Sequence, residues 1–238
     1  MEVIYEDNHI IIVNKQSGEI VQGDKTGDRP LSEIVKDYIK EKYHKPGEVF
    51  LGVVHRLDRP VGGLVVFART SKALTRLNKM FAEKEQVRKT YWAIVQRGGK
   101  SEVGVESSEW TTLEHWLVRN EKQNKSYAYS HEVPNSKKAI LKYRVLNEGD
   151  NYTLVEVQLL TGRHHQIRCQ LSTIGCPIKG DLKYGAKRSN PDGSISLQSH
   201  CVEFIHPVSK KPIIIEAPIP NNPLWKALAG DKTNILTP

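Results

Sequence analysis

Two hydrophobic periods alternate along the chain, one typical of strands and the other of helices. Short β-rich runs at residues 3–5 and 10–13 are separated by a polar turn, which predicts a pair of strands. Apolar residues then recur at helical spacing over residues 31–39 and again over residues 73–81. Thr70 or Ser71 can cap the second of these helices. The chain therefore begins with a strand pair and continues with helices set between strands.

Strand signals outnumber helix signals in the rest of the chain. Further strands are predicted at residues 49–54, 64–67, 87–95, 139–146, 152–159, 201–205 and 213–217. A helix is predicted to open at residues 161–168 and to end at Gly175, and a short one covers residues 223–228. The polar stretch 98–138 is interpreted as irregular hairpins at the sheet edge. The pattern predicts a single α+β domain over residues 1–238, with a mixed, mainly antiparallel sheet flanked by helices.

Composition and charge narrow the classes of protein that fit this pattern. The 238 residues are 38% hydrophobic, with 35 Lys and Arg against 27 Asp and Glu, so the net charge is +8. This balance excludes a disordered chain, and the longest apolar runs are too short to span a membrane. An acidic start without a signal peptide predicts a cytoplasmic protein. Three cysteines without a paired spacing indicate neither a disulfide framework nor a zinc site.

Asp58 is the first candidate for chemistry. It lies in a polar loop between two predicted strands, together with His55, Arg56 and Arg59, and the loop is constrained by Pro60 and two glycines. Neighbouring guanidinium groups favour the ionised form of a carboxyl group. An ionised aspartate suits nucleophilic or electrostatic work better than proton donation. The alternative is an ordinary turn or surface aspartate.

A second candidate site lies where the helix opens after residue 161. Arg163, His164 and Gln166 fall near the backbone amides of the helix start, which favour an anion such as phosphate. Arg168 is expected to leave the apolar stripe and point along the polar face of the helix. An ordinary basic first turn is the alternative for this segment.

Tyr91 is a further candidate for the site, whereas metal and nucleotide sites are not predicted. Tyr91 lies on a predicted strand, where packing is the usual role of a tyrosine, although its phenol could meet a reacting centre. His164, His165 and Cys169 lack the spacing of a metal site, so no metal is predicted. The sequence also lacks the glycine-rich motifs that bind nucleotide phosphates, so no nucleotide cofactor is predicted.

Several of these segments together resemble one family, the RluA-family RNA pseudouridine synthases. The central motifs are His55-Arg56-Leu57-Asp58, Gly63-Leu64, Lys89-Thr90-Tyr91 and the run from Gly162-Arg163 to Arg168. Flanking matches are Tyr5-Glu6-Asp7, Asn14-Lys15, Gly180-Asp181, Tyr184-Gly185, His206-Pro207 and Ala217-Pro218. Because the motifs occur in the same order over nearly the whole chain, the resemblance is specific.

The resemblance implies a function and a set of roles. The implied reaction is the isomerisation of uridine to pseudouridine within ribosomal or transfer RNA, in a central cleft of the pseudouridine synthase fold and without a cofactor. Asp58 would be the catalytic aspartate, Tyr91 the aromatic residue of the active site, and Arg168 the partner of Asp58. Arg56 would enter the RNA stack where the target uridine leaves it, and His55, Arg163 and Gln166 are the further RNA-binding candidates.

The sequence departs from the family pattern in places. Val61-Gly62-Gly63 stands where members usually have Thr-Ser-Gly, and His164 stands in place of a threonine. Because the catalytic pattern begins at residue 3, we expect no separate RNA-binding domain ahead of it. The RNA affinity would then come from Lys and Arg residues between positions 119 and 144 and between 179 and 188.

Two other functions fit parts of the sequence. A non-catalytic RNA-binding or ribosome-assembly protein would share the positive charge, but it would not need Asp58, Tyr91 and Arg168 together. A hydrolase using Asp58 with His55 lacks a second carboxylate or a metal motif. No motif identifies the RNA, the target uridine or the oligomeric state.

Overall fold

A computed structural model describes residues 1–83, 86–96 and 109–230 of the chain. The chain forms two compact units. Unit 1 consists of Met1–Lys89 and Gln198–Ala217, and unit 2 of the described residues in Thr90–Leu197 and from Pro218 onward. The single domain expected over residues 1–238 stays a prediction.

Eleven strands and four α-helices make up the described part of the chain. In chain order they are β1 (Glu2–Glu6), β2 (Ile10–Lys15), α1 (Leu31–Lys42), β3 (Gly52–Val53), β4 (Gly62–Ala68), α2 (Ser71–Glu83), β5 (Val87–Gln96), β6 (Thr111–Asn120), β7 (Lys125–Tyr129), β8 (Lys137–Glu148), β9 (Tyr152–Leu159), α3 (Gln166–Thr173), β10 (Leu197–Ile205), β11 (Pro212–Glu216) and α4 (Pro223–Ala229). The predicted α+β class with a mixed, mainly antiparallel sheet is confirmed.

Unit 1 is built on the strand order β1-β2-β4-β10, with β3 on β4 and β11 on β10. Its pairings are antiparallel except that of β4 with β10, which is parallel. Strand β2 is buried on both faces: Ile10 and Ile12 pack in one core with α2, and Ile11 and Val13 in another with α1. This double burial explains why the strand is a continuous apolar run rather than an alternating one.

Unit 2 is built on the strand order β5-β9-β8-β6-β7, in which successive neighbours are antiparallel. Helix α3 packs against one face of this sheet, where Cys169 meets Leu117 of β6 and Ala139 of β8. Helix α4 contributes Trp225 to a core that includes Trp92 of β5. The side chains along β6 and β7 therefore divide into an inner set, facing α3, and an outer set.

Several local predictions are confirmed, and one strand is shorter than predicted. Thr70 caps α2, since its Oγ1 accepts a hydrogen bond from the Ala73 amide at 3.2 Å. Gly175 follows α3 with φ of 81°, the left-handed conformation expected after a helix. Residues 49–54 form only the two-residue strand β3. Of the stretch predicted to form irregular hairpins at the sheet edge, residues 97–108 lie outside the described ranges. The rest contains a hairpin at that edge, β6–β7, and its pairing is regular.

Within the described ranges, no helix is long and apolar enough to cross a lipid bilayer.

Candidate active site

The Asp58 loop connects β3 to β4 and is fixed by hydrogen bonds to its backbone. The carbonyl oxygen of Arg59 accepts a hydrogen bond from the Gly18 amide at 2.9 Å. The Ser17 hydroxyl donates to the carbonyl oxygen of Pro60 at 3.3 Å. Asp58 itself is half-buried. The loop that presents this carboxylate is therefore held by the segment that follows β2.

Lys15, the last residue of β2, supplies the buried cation of this loop. Its side chain is 1% exposed, and its Nζ donates to the carbonyl oxygens of Gln16 at 3.0 Å, Arg59 at 3.1 Å and Val61 at 2.6 Å. Burial lowers the pKa of Lys15 to about 8, while the negative charges of Glu19 and, less strongly, Asp58 act in the opposite direction. Lys15 and Asp58 therefore interact electrostatically within unit 1.

The arginines next to Asp58 make contacts of their own. The Arg59 guanidinium donates to Asp28 at 2.6 Å and to Thr26 at 2.7 Å. Arg56 is exposed, and its Nη1 lies 3.4 Å from the side-chain oxygen of Gln22. Both arginines thus contact the segment between β2 and α1.

His55 packs against β4 and α2 within unit 1. Its Nε2 accepts a hydrogen bond from the Val66 amide at 3.1 Å, and its ring stacks on Phe81 with centroids 5.3 Å apart. Burial, with the nearby charge of Lys89, lowers the pKa of His55 to about 3. The neutral imidazole therefore anchors the start of the loop to β4. Its contact with RNA stays a prediction.

Arg168 lies in α3 and is buried, which corrects the expectation that it points along a polar helix face. Helix α3 is buried on all sides over its first six residues, so it has no polar face there. The Arg168 Nε is 2.7 Å from Asp181 Oδ2, and its Nη2 is 2.9 Å from Asp181 Oδ1. The Tyr184 ring centroid lies 5.1 Å from the guanidinium carbon. A two-point ion pair thus fixes the orientation of this guanidinium.

Gln166 and Arg163 shape the turn that leads into α3. The side-chain oxygen of Gln166 accepts from the Thr161 hydroxyl at 2.7 Å and from the Arg163 amide at 3.0 Å. Its amide nitrogen donates to the carbonyl oxygen of Ile140 at 3.1 Å. Arg163 is exposed, and its Nε donates to the carbonyl oxygen of Lys138 at 2.9 Å. Gln166 is a structural link in this turn, and its predicted RNA contact stays a prediction.

His164 and His165 form a stacked pair before α3, with ring centroids 3.8 Å apart. His165 occupies the position just before α3 with φ of 52°, and burial lowers its pKa to about 2. The two nitrogens of His164 lie 2.9 Å from the Ser126 hydroxyl and 3.1 Å from the side-chain oxygen of Asn124. The histidine that replaces the family's threonine therefore ties the start of α3 to the β6–β7 hairpin.

Tyr91 is 6% exposed and lies on β5, directly opposite Val157 of β9. Paired residues of antiparallel strands point to the same face of a sheet. Val157 is paired in turn with Tyr143 of β8, so Tyr91 and Tyr143 point to the same face. Ala139, four positions earlier on β8, shares that face and packs on α3. Unit 2 therefore presents Tyr91 on the same side of its sheet as the helix that bears Arg168.

The sequence-predicted site residues divide between the two units. His55, Arg56 and Asp58 belong to unit 1, whereas Tyr91, Arg163, Gln166 and Arg168 belong to unit 2. The predicted pairing of Asp58 with Arg168, like the predicted central cleft, stays a prediction. Within the described ranges, no group of three or more His, Cys, Asp or Glu residues is placed to hold a metal ion.

Sequence reasoning assigned no role to two charged residues that the structure places beside the candidates. These are Lys15, beneath the Asp58 loop, and Asp181, which holds Arg168. For Lys15 a signal existed, because a lysine that ends a fully apolar strand is expected to be partly buried. For Asp181 none existed beyond its place in the family motif, since its partner lies 13 positions earlier in the chain.

Comparison with known proteins gives a consistent result. A family model described as RNA pseudouridylate synthase matches residues 9–173. Ribosomal large subunit pseudouridine synthase C of Vibrio cholerae is 31% identical over 223 residues, which cover 91% of this chain and 65% of that protein. Ribosomal large subunit pseudouridine synthase D of Xanthomonas campestris is 28% identical over 239 residues, covering 93% and 67%. The chain thus spans about two thirds of the length of these curated relatives.

The fold also matches a solved structure. Human RNA pseudouridylate synthase domain containing 4 aligns with a TM-score of 0.73 at 21% sequence identity, covering 92% of this chain and 89% of that one. At this level of identity the likeness concerns the fold.

Proposed function

Because the chain belongs to the RNA pseudouridylate synthase family, we propose that it isomerises uridine to pseudouridine in structured RNA, with Asp58 as the catalytic residue. The observation that carries the proposal is the Asp58 loop. It holds the family's His-Arg-Leu-Asp motif, and Lys15 together with the segment after β2 fixes its backbone. A catalytic side chain gains from such support, because its position is set before the substrate arrives.

The chemistry requires that the bond between the sugar and nitrogen 1 of uracil breaks, that the uracil rotates, and that carbon 5 bonds the sugar. An ionised Asp58 can attack the sugar, attack the base, or help to remove a sugar proton. The Lys15 ammonium lies below the loop, and its charge and that of the Asp58 carboxylate attract each other. Each route begins from the same carboxylate, so the proposal does not depend on the choice among them.

Tyr91 and Arg168 complete the proposed catalytic set in the roles that the family resemblance implies. Arg168 would pair with Asp58, and its own orientation is set by Asp181. Tyr91 would pack on the uracil and exchange a proton late in the reaction. The target nucleotide must leave its stack at a cost of a few kcal/mol, and an exposed Arg56 is suited to fill the space.

RNA is the proposed partner, and ribosomal RNA is the favoured substrate. Two observations support this choice: the relatives just named are ribosomal large subunit pseudouridine synthases, and the net charge of +8 suits a polyanion. Exposed Arg163 is a candidate for a phosphate contact, and the proposed reaction needs no metal or nucleotide cofactor. A cytoplasmic location is part of the same proposal. Pseudouridine mapping in cells with and without the protein would identify the RNA and the position.

The test replaces Asp58 with Asn and measures tritium release from RNA labelled at carbon 5 of uracil. We expect the rate of tritium release to fall by about 10² to 10⁴-fold, because the ionised carboxylate is lost. Asp37→Asn is the matched control, since Asp37 is an exposed carboxylate of α1 that pairs with Arg29. Full activity of the Asp58 variant would reject the assignment. If the unaltered protein binds RNA but releases no tritium from total cellular RNA, the non-catalytic alternative is favoured instead.

A further inference from the structure

The β6–β7 hairpin of unit 2 has two chemically different faces. Its register pairs Leu117 with Ala128, and this inner pair packs in the core that includes Cys169 of α3. Because side chains alternate along a strand, the pair Trp116 and Tyr129 points to the opposite, outer face. The inner face is thus covered by the protein's own helix α3, whereas the outer face carries a different set of side chains.

Two exposed tyrosines lie on the outer face. Tyr127 is 39% and Tyr129 is 41% exposed, and they are separated by one inward residue, Ala128. Residues two apart on a strand are about 7 Å apart, so each ring is available to a separate ligand group. Tyr129 lies opposite Trp116, which is half-buried and supports it from β6. Strand β7 is the last strand in the order of this sheet, so the tyrosines lie at its edge.

Lysines border these aromatic rings. Lys125 starts from the same face of β7, and its Nζ lies at the strand edge, 5.5 Å from the Tyr127 ring centroid and 5.3 Å from that of Tyr184. Lys138 of β8 lies opposite Trp116, so it continues the row that contains Tyr129. Lys142, further along β8, is exposed on the same face. Glu114, an exposed carboxylate of β6 on this face, pairs with Lys138 at 2.7 Å.

We propose that this surface, here termed the tyrosine face and formed by Trp116, Lys125, Tyr127, Tyr129 and Lys138, binds unpaired bases of RNA. Aromatic rings accept bases of any sequence by stacking, and adjacent lysines attract the phosphates. The positive charge selects a polyanion over an apolar protein surface. In a duplex the bases are already stacked on one another, so the ligand is a single-stranded segment.

The tyrosine face is separate from the residues proposed for catalysis. Helix α3, which carries Arg168, packs on the inner face of the same sheet. RNA held by the tyrosines would therefore be a flanking segment rather than the target nucleotide. The inference concerns binding alone and goes beyond the proposed isomerase activity.

The test measures binding of a short fluorescein-labelled oligouridine and of a duplex RNA of equal length by fluorescence anisotropy, with the full chain. The double variant Tyr127→Ala and Tyr129→Ala should weaken oligouridine binding about tenfold or more, because stacking on both rings is lost. It should change duplex binding by less than about threefold. The variant Tyr127→Phe and Tyr129→Phe should bind oligouridine as the unaltered protein does, since a phenyl ring stacks as well.

Controls separate this proposal from its alternatives. Ile214→Ala removes an exposed apolar side chain from β11 of unit 1 and should leave oligouridine binding unchanged. Unchanged oligouridine binding in the double alanine variant, or an equal loss for the duplex, would overturn the proposal. So would loss of self-association without loss of RNA binding, which would assign the face to a second copy of the chain. Because the assay measures binding without turnover, it is independent of the Asp58→Asn result.

Discussion

At the scale of single residues, the Arg168–Asp181 pair shows how a buried charge is tolerated in unit 2. The exposed fraction is 6% for the Arg168 side chain and 1% for that of Asp181. Burying two charges costs several kcal/mol per ion, and only close, two-point geometry offsets that cost. Asp181 therefore determines the orientation of the guanidinium, whichever group Arg168 meets on its other side.

Asp181→Asn should reduce activity through Arg168. The amide cannot neutralise the guanidinium, so we expect kcat to fall about 10²-fold as Arg168 loses its orientation. We also expect a loss of roughly 3 to 5 kcal/mol in the free energy of unfolding. Tritium-release kinetics and urea unfolding would measure the two effects.

A second pair of variants separates orientation from folding. The combined change Arg168→Met and Asp181→Met removes both charges and should restore much of the stability, but not the activity. Asp181→Glu should retain part of kcat, because the carboxylate is kept. A folded Asp181→Asn protein with unaltered kcat would show that Arg168 acts without help from Asp181, or does not act at all.

At the scale of elements, the junction of β4 with β10 explains Gly63, the second residue of β4. Gly63 has φ of 107°, and a Cβ atom there would lie 2.3 Å from the carbonyl oxygen of Ser199 and 2.6 Å from its amide nitrogen. Ser199 is its register partner on the parallel strand. The close approach of the two backbones therefore excludes every side chain at this position.

Gly63→Ala should destabilise the protein far more than the neighbouring substitution Gly62→Ala. Gly63→Ala combines a left-handed backbone with a clash against a backbone, and we expect a loss of about 3 kcal/mol or more. A Cβ at Gly62 would meet only the Lys15 carbonyl oxygen, at 3.4 Å, so its cost should stay within about 1 kcal/mol. Thermal unfolding of the two variants measures the difference. Equal melting temperatures would contradict the close approach of β4 and β10.

At the scale of the whole molecule, three histidines with lowered pKa values make stability depend on pH. Burial lowers the pKa of His55 to about 3, of His165 to about 2 and of His200 to about 4, against an ordinary value of 6.5. Below pH 6.5 the unfolded chain takes up protons at these positions and the folded chain does not. Since protons then favour the unfolded state, stability is lost as the pH falls from 6.5.

We expect the free energy of unfolding to drop between pH 6.5 and about 5, by on the order of 1 kcal/mol per pH unit for each histidine. Urea unfolding at several pH values measures the slope. His55→Gln should reduce the slope, since the amide oxygen can still accept from Val66 without titrating. Substitution of the exposed His131 by Gln should leave the slope unchanged. A stability that is constant over this range would refute the assignment of neutral imidazoles at these three positions.

The sequence by itself determined the elements and the identity of the candidate residues. Helical and strand periods located α1, α2 and β9 closely, because these elements follow from local spacing and burial. The ordered motifs placed Asp58, Tyr91 and Arg168 in one family pattern. The length of strand β3 was overestimated, because a short apolar run is also compatible with a buried connecting segment that forms no regular strand.

Only the tertiary structure decided which charges meet. Lys15 lies under a loop more than 40 positions away in the chain, and Arg168 pairs with Asp181 through a turn that periodicity cannot predict. The same holds for the division of the β6–β7 hairpin into a face that packs on α3 and a face with exposed tyrosines. Hydrophobic spacing reports whether a position is buried, whereas the partner of a buried charge depends on contacts between segments distant in sequence.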